Sequence, residues 1–229
     1  MSGAFLLFSS IAAKFPATFG SNVSLEALWA RVHQGYTEPQ RFYHTLTHIE
    51  DLLRLTTAAV NANELKDGDL VALAVVYHDI VYDPTRNDNE EQSAELFRSQ
   101  VAVHLPDLPL AKVDAVAEWI LATKLHTTPE HLSRVQGHSD LHKFLDFDMS
   151  VLSWPAAEYD KYASQIRQEY IHVPLQIYND KRPQLLEKFL ETPAIFTTAH
   201  YKGELEKLAR DNLKREIATL RAITPACKS

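Results

Sequence analysis

Residues 69–82, DLVALAVVYHDIVY, constrain this chain more than any other stretch. Wound as a helix at about 100° per residue, Leu70, Val71, Leu73, Val75, Val76, Ile80 and Val81 spread around the whole circumference. A helix that is apolar on every side has to be covered on every side. This one carries His78 and Asp79 near its C-terminal end. Burying an ionised carboxylate costs several kcal/mol unless something neutralises it, and a helix C-terminus is itself the negative end of a dipole. A cation is the economical answer: an Arg, a Lys or a metal ion. The adjacent imidazole favours a metal, because nitrogen and carboxylate oxygen together suit a borderline divalent ion. The competing reading is a buried His–Asp hydrogen bond with an Arg nearby.

The partners for such a helix are other helices. Glycine occurs only 6 times, and no stretch alternates apolar and polar residues for long enough to read as a strand. Ser24 reads as the N-cap of a helix through LEALWARVHQGY. Pro39 can open a helix through QRFYHTLTHIEDLLRLTTAAV. Further helices are expected over EEQSAELFRSQVAVHL, about 110–124, LHKFLDFDMSVL, from Pro155 through AAEYDKYASQIRQEYIHV, and about 203–222, with Pro174 and Pro183 as punctuation. Residues 126–140 read as polar and irregular. The expectation is one all-α domain over residues 1–229, with a core at about 39–152 and additional C-terminal helices at about 155–222.

The helix expected from Pro39 has two stripes. Phe42, Leu46, Ile49 and Leu53 form one; His44, His48, Leu52 and Leu55 form the other. Two histidines four residues apart on one apolar-lined stripe point inward. They are either core histidines bonded to backbone or part of a site.

Composition narrows the function classes. Asp plus Glu number 30 against 23 Lys plus Arg, a formal charge of −7, which argues against a duplex nucleic-acid binder held by phosphate contacts. No apolar run approaches the ~20 residues of a membrane span, and the N-terminal stretch lacks a basic leader, so a cytoplasmic location is expected. Cys227 is the only cysteine, leaving no internal disulfide and no cysteine-based zinc site.

His48, the His78–Asp79 doublet in an apolar helix, and an Asp about 70 residues further on resemble the H…HD…D pattern of the HD superfamily of metal-dependent phosphohydrolases. RFYHTLTHIEDLL is similar to the Tyr-His-Asn-x-x-His-x-x-Asp-Val segment of cyclic-nucleotide phosphodiesterases, with Thr45 in place of the Asn. RFYHTLTHI, YHDIVYDPTRNDNEEQSA, LDFDMSVL and YDKYASQIRQEY together resemble a bacterial group of predicted HD-superfamily hydrolases, over about 40–220.

The resemblance implies an all-helical HD bundle and a divalent metal site of His48, His78, Asp79 and one acid of LDFDMSVL, with Asp148 preferred over Asp146. Two nitrogens and two carboxylates suit Mn, Fe, Co, Ni, Mg or Zn. His44 takes the place of the family's proton donor, and His126 is a candidate for a second metal or the substrate. Asp83, four residues past the doublet, corresponds to an acid that positions the attacking water in guanosine tetraphosphate hydrolases; a turn-forming role before Pro84 weighs equally. A phosphate or nucleotide substrate calls for a cation, with Arg41, Lys124, Arg167 and Arg182 as candidates. The activity expected is hydrolysis of a nucleotide or small phosphoester. The alternatives are a di-iron HD-type oxygenase and a regulatory module that binds a nucleotide or other ligand without turning it over.

Overall fold

The computed structural model describes residues 2–20 and 24–223; Cys227 lies outside them. Among the described residues there are eleven α-helices, a short 3-10 helix and no strand. The chain is all-α. It divides into two compact units, Met1–His126 with Ser139–Phe147, and Thr127–His138 with Asp148–Ser229.

In the first unit the helices are α1 (Gly3–Ala12), α2 (Leu25–Tyr36), α3 (Leu46–Asn61), α4 (Gly68–Tyr77), α5 (Asn89–His104) and α6 (Leu110–Ala122). Every residue of α4 is buried, as its all-round apolar sequence requires. It packs against α1, α3, α5 and α6. Ser24 caps α2 by accepting from the Ala27 N–H at 3.2 Å.

Two boundaries near the histidines differ from expectation. The helix expected from Pro39 begins only at Leu46, with Thr45 as its N-cap, the Thr45 hydroxyl accepting from the Thr47 N–H at 3.3 Å. Residues 39–45 are turns, so His44 and His48 do not share a helix face. The helix expected over 69–82 stops at Tyr77. Past that point the backbone donors find partners outside the helix. Asp79 N–H donates to the Tyr36 hydroxyl at 3.2 Å, and Val81 N–H to Ser93 Oγ at 3.1 Å. Each side-chain acceptor replaces a helical carbonyl, and the chain turns away.

The next two helices are α7 (Pro129–Ser133) and α8 (Asp140–Met149). The first lies in the stretch expected to be irregular. Both begin with a histidine three residues after a hydroxyl residue. Thr128 N–H donates to His131 Nδ1 at 3.0 Å, and Ser139 N–H to His142 Nδ1 at 3.3 Å. These are capping boxes with imidazole in place of carboxylate. His142 is thereby buried at 7% exposure; His138 is exposed. Asp140 anchors the start of α8 by accepting from Lys66 N–H at 3.1 Å and Asp67 N–H at 2.6 Å, just ahead of α4.

The second unit contains the 3-10 helix Ser150–Ser153, α9 (Ala156–Glu169), α10 (Leu175–Glu191) and α11 (Glu204–Ile223). There α11 packs on α9, α10 and the 3-10 helix. Asn212 of α11 donates to the Leu152 and Trp154 carbonyls at 2.9 and 2.8 Å. Pro183, expected to interrupt, lies inside α10. Its ring removes only the bond to the carbonyl four residues back, and packing holds the helix through it.

Candidate metal centre

His48 projects from the first turn of α3, and His78 follows the last residue of α4. Both are buried, and their Nε2 atoms lie 3.4 Å apart. His78 Nδ1 is 2.9 Å from the Val75 carbonyl. A carbonyl only accepts, so Nδ1 carries a proton; in the neutral ring Nε2 is then a bare lone pair. That lone pair faces His48 Nε2 and also Asp79 Oδ2, 3.0 Å away. His48 Nε2 can meet that lone pair as an N–H donor, but an ionised carboxylate oxygen aimed at it is repelled unless a cation or proton lies between them: a metal ion, or a second proton on His78.

Asp148 completes the convergence. It stands on α8, whose residues up to Phe147 belong to the first unit. Within α8, Phe144 meets the His78 ring edge-on at 5.8 Å. His48, His78 and Asp148 each offer a ligand atom, all within 4.8 Å of one another, so this group can hold a metal ion. At a typical metal–nitrogen distance of about 2.1 Å, a 3.4 Å nitrogen separation corresponds to a ligand angle of about 110°, within the range of common coordination geometries. Asp146, the other acid of the LDFDMSVL stretch, is fully buried and is not part of this group.

His44 sits in the turn before α3. Its Nε2 is 3.8 Å from Asp79 Oδ2, and its ring lies 4.3 Å from that of Tyr82. Tyr43 touches both histidines, its ring 5.0 Å from His44 and 4.8 Å from His48. Its adjacency to His44 was visible in the sequence; its contact with His48 depends on the turn. Asp83 accepts from Thr85 N–H at 2.9 Å and Thr85 Oγ1 at 2.7 Å, forming the turn beside Pro84. His126 follows α6 in the left-handed conformation (φ 50°) and does not belong to the three-residue group.

Each of the four cations considered for a phosphate makes hydrogen bonds within the protein. Arg41 has a fully buried side chain. It donates to the carbonyls of His44 (3.2 Å), Asp79 (2.7 Å) and Ile80 (3.0 Å), and to Glu38 Oε2 (3.1 Å). It thus fastens the turn before α3 to the turn after α4, the two segments that carry His44 and Asp79. Lys124 pairs with Glu91 at 2.5 Å and donates to the Asn87 carbonyl at 2.7 Å, both at the entrance to α5. Arg167 donates to the Tyr170 and Val173 carbonyls at 2.5 and 3.0 Å, covering the C-terminal end of α9. Arg182 donates from Nε to Glu216 Oε1 at 2.9 Å, inside the second unit.

Tyr162 is the residue whose surroundings the sequence hid. On its helix it reads as one member of an apolar stripe. Burial pushes its hydroxyl up from the ordinary tyrosine value; the charge and hydrogen bond of Arg182 oppose the shift, and Glu216 and then Asp148 add to it. A phenol therefore lies within the electrostatic reach of the candidate carboxylate ligand.

No helix among the described residues is long and apolar enough to cross a membrane. No family model, curated protein or solved structure matches the chain.

Proposed function

We propose that the chain is a metal-dependent hydrolase of the HD type, acting on a nucleotide or small phosphoester. One observation carries this reading: His48, His78 and Asp148, from three separate stretches of sequence, bring their ligand atoms within 4.8 Å of one another. Asp79, in contact with the lone pair of His78, supplies the fourth ligand and a second negative charge. Two imidazoles and two carboxylates balance one divalent ion and suit Mn, Fe, Co, Ni, Mg or Zn. Such an ion supplies a Lewis acid for a phosphoryl oxygen and lowers the pKa of water.

The chain's own residues would do the rest. Asp79 would accept the proton of the attacking water through the carboxylate oxygen that does not hold the ion. His44, whose Nε2 is 3.8 Å from Asp79 Oδ2, would hold at Nε2 the proton that the leaving oxygen requires. Tyr82 and Tyr43, packed on the His44 ring, fix its orientation. Asp83 retains its turn role, and Arg41 acts as a brace.

The test is elemental analysis of chain purified without chelator or histidine tag, beside His48→Ala and Asp148→Ala. About one or two ions per wild-type chain, and at least tenfold weaker retention in both variants, is the expected result. Absence of metal from the wild type after exposure to Mn²⁺, Fe²⁺, Co²⁺ and Zn²⁺ would overturn the reading. The Asp79 contact to His78 would then be an ion pair with a doubly protonated imidazole. A panel of nucleotides and small phosphoesters, assayed with the ion found, tests the substrate class.

A further inference from the structure

The last bond of the α4 pattern runs from the His78 N–H to the Ala74 carbonyl at 2.9 Å. In a helix carried one residue further, the Asp79 N–H would donate to the Val75 carbonyl, four residues back. Here that N–H donates to the Tyr36 hydroxyl of α2 at 3.2 Å, and the Val75 carbonyl accepts from His78 Nδ1 at 2.9 Å. The Tyr36 hydroxyl takes over the part of the helical acceptor, and the carbonyl is left to the imidazole. A carbonyl on the outer ring nitrogen fixes the tautomer and orientation that leave the other nitrogen open to a metal.

The end of α2 is shaped to reach that point. Tyr36 is 1% exposed, which keeps solvent from competing for the bond. Gly35 brings α2 down on the turn after α4: a Cβ there would lie 2.7 Å from the Ile80 carbonyl oxygen and 3.1 Å from Ile80 Cγ1. Arg41, its guanidinium 5.0 Å over the Tyr36 ring, donates to the Asp79 carbonyl at 2.7 Å. The peptide units before and after the Asp79 Cα are both anchored, which sets the direction of its side chain. Its Oδ2 stands 3.0 Å from His78 Nε2.

We infer that Tyr36 is a positioning residue of the metal centre: by taking the Asp79 N–H it holds Asp79 toward the ion and reserves the Val75 carbonyl for His78. The inference rests on the metal-site reading above. Without the hydroxyl, the Asp79 N–H has the Val75 carbonyl as its helical acceptor, and two donors then compete for that oxygen.

The experiment uses Co²⁺ alone as the probe, titrated into full-length chain stripped with chelator and followed by its visible d–d absorption, whose bands report ligand geometry. Tyr36→Phe is compared with Tyr77→Phe, a control that removes a buried hydroxyl of α4 with no hydrogen-bond partner. Expected in Tyr36→Phe is Co²⁺ affinity weaker by about tenfold or more with shifted bands, the scale for losing an outer partner of a metal ligand. Tyr77→Phe should stay within about twofold of the wild type, with unshifted bands. A merely structural Tyr36 would lower the urea midpoint and leave affinity and bands unchanged; that result overturns the inference while the metal site stands. Equal losses in both phenylalanine variants overturn it too. A wild type that binds no Co²⁺ overturns the metal reading, and the inference with it. If Tyr36→Phe does not fold, Gly35→Ala takes its place, since it keeps the hydroxyl but forces the end of α2 off the Ile80 carbonyl. Weaker Co²⁺ binding with shifted bands then supports the positioning role, and wild-type affinity overturns it.

Discussion

Arg41→Met separates a structural from a substrate-binding arginine. The wild-type side chain is fully buried and makes four hydrogen bonds, three of them to the carbonyls of His44, Asp79 and Ile80. Methionine has a similar length and no donor. Each charge-assisted bond contributes about 1.5–3 kcal/mol, and each carbonyl left dry costs about 1–3 kcal/mol. These terms overlap, because water can reach some of the vacated space. The stacking of the guanidinium on Tyr36 and Tyr82, at 5.0 and 5.3 Å, is lost as well. The expected net loss is about 3–5 kcal/mol, comparable to breaking a buried ion pair. For a chain of this size that lowers the melting temperature by roughly 10 °C. Urea denaturation followed by circular dichroism measures the loss. Glu38→Gln is the control: its carboxylate is 41% exposed, so the loss should stay below about 1 kcal/mol. A loss below about 1 kcal/mol in Arg41→Met, with a raised KM for a phosphate substrate, would refute the bracing role.

Three further outcomes are expected. His44→Ala should retain the metal and lower turnover about 10²-fold or more; normal turnover would remove His44 from the proton-transfer role. Gly35→Ala should destabilise the first unit by about 1–3 kcal/mol in thermal melts, because a Cβ there would lie 2.7 Å from the Ile80 carbonyl oxygen, which also accepts from Arg41. Asp51 is raised above 3.8 chiefly by burial, with His48 and Arg54 opposing and Glu50 adding. A raised acid binds its proton more tightly when folded, so its ionisation lowers stability as pH rises from about 3.8 through the folded value. In chelator, Asp51→Asn should therefore exceed the wild type in urea midpoint at neutral pH and lose that advantage below the unfolded value; an advantage independent of pH would exclude ionisation as its source.

The sequence alone determined the helical class and the central position of α4. Both follow from local rules. Glycine is scarce, strand alternation is absent, and an apolar surface around a whole helix has one stable solution. The sequence also marked His48, His78 and the acids of α8 as residues worth bringing together, though spacing could not say that they meet.

The tertiary structure decided the geometry of that meeting. Local pattern extended α3 back to Pro39 and α4 forward to Tyr82, because each stretch is apolar enough to continue. α4 stops early where Tyr36, Ser93 and Arg41 supply hydrogen-bond partners to its following backbone from distant points in the chain, and α3 begins late where Thr45 caps it. Those long-range bonds carry no periodic signal. The turn ahead of Thr45 sets His44 beside Asp79, and the Arg41 guanidinium is engaged by the carbonyls of His44, Asp79 and Ile80. The buried, unpaired Tyr178 Oη and Asn179 Oδ1 of α10 were equally invisible, since only the packing of the second unit decides which polar atoms are left without a partner. Periodicity identifies which residues are buried; the partners of a buried polar atom depend on the whole fold.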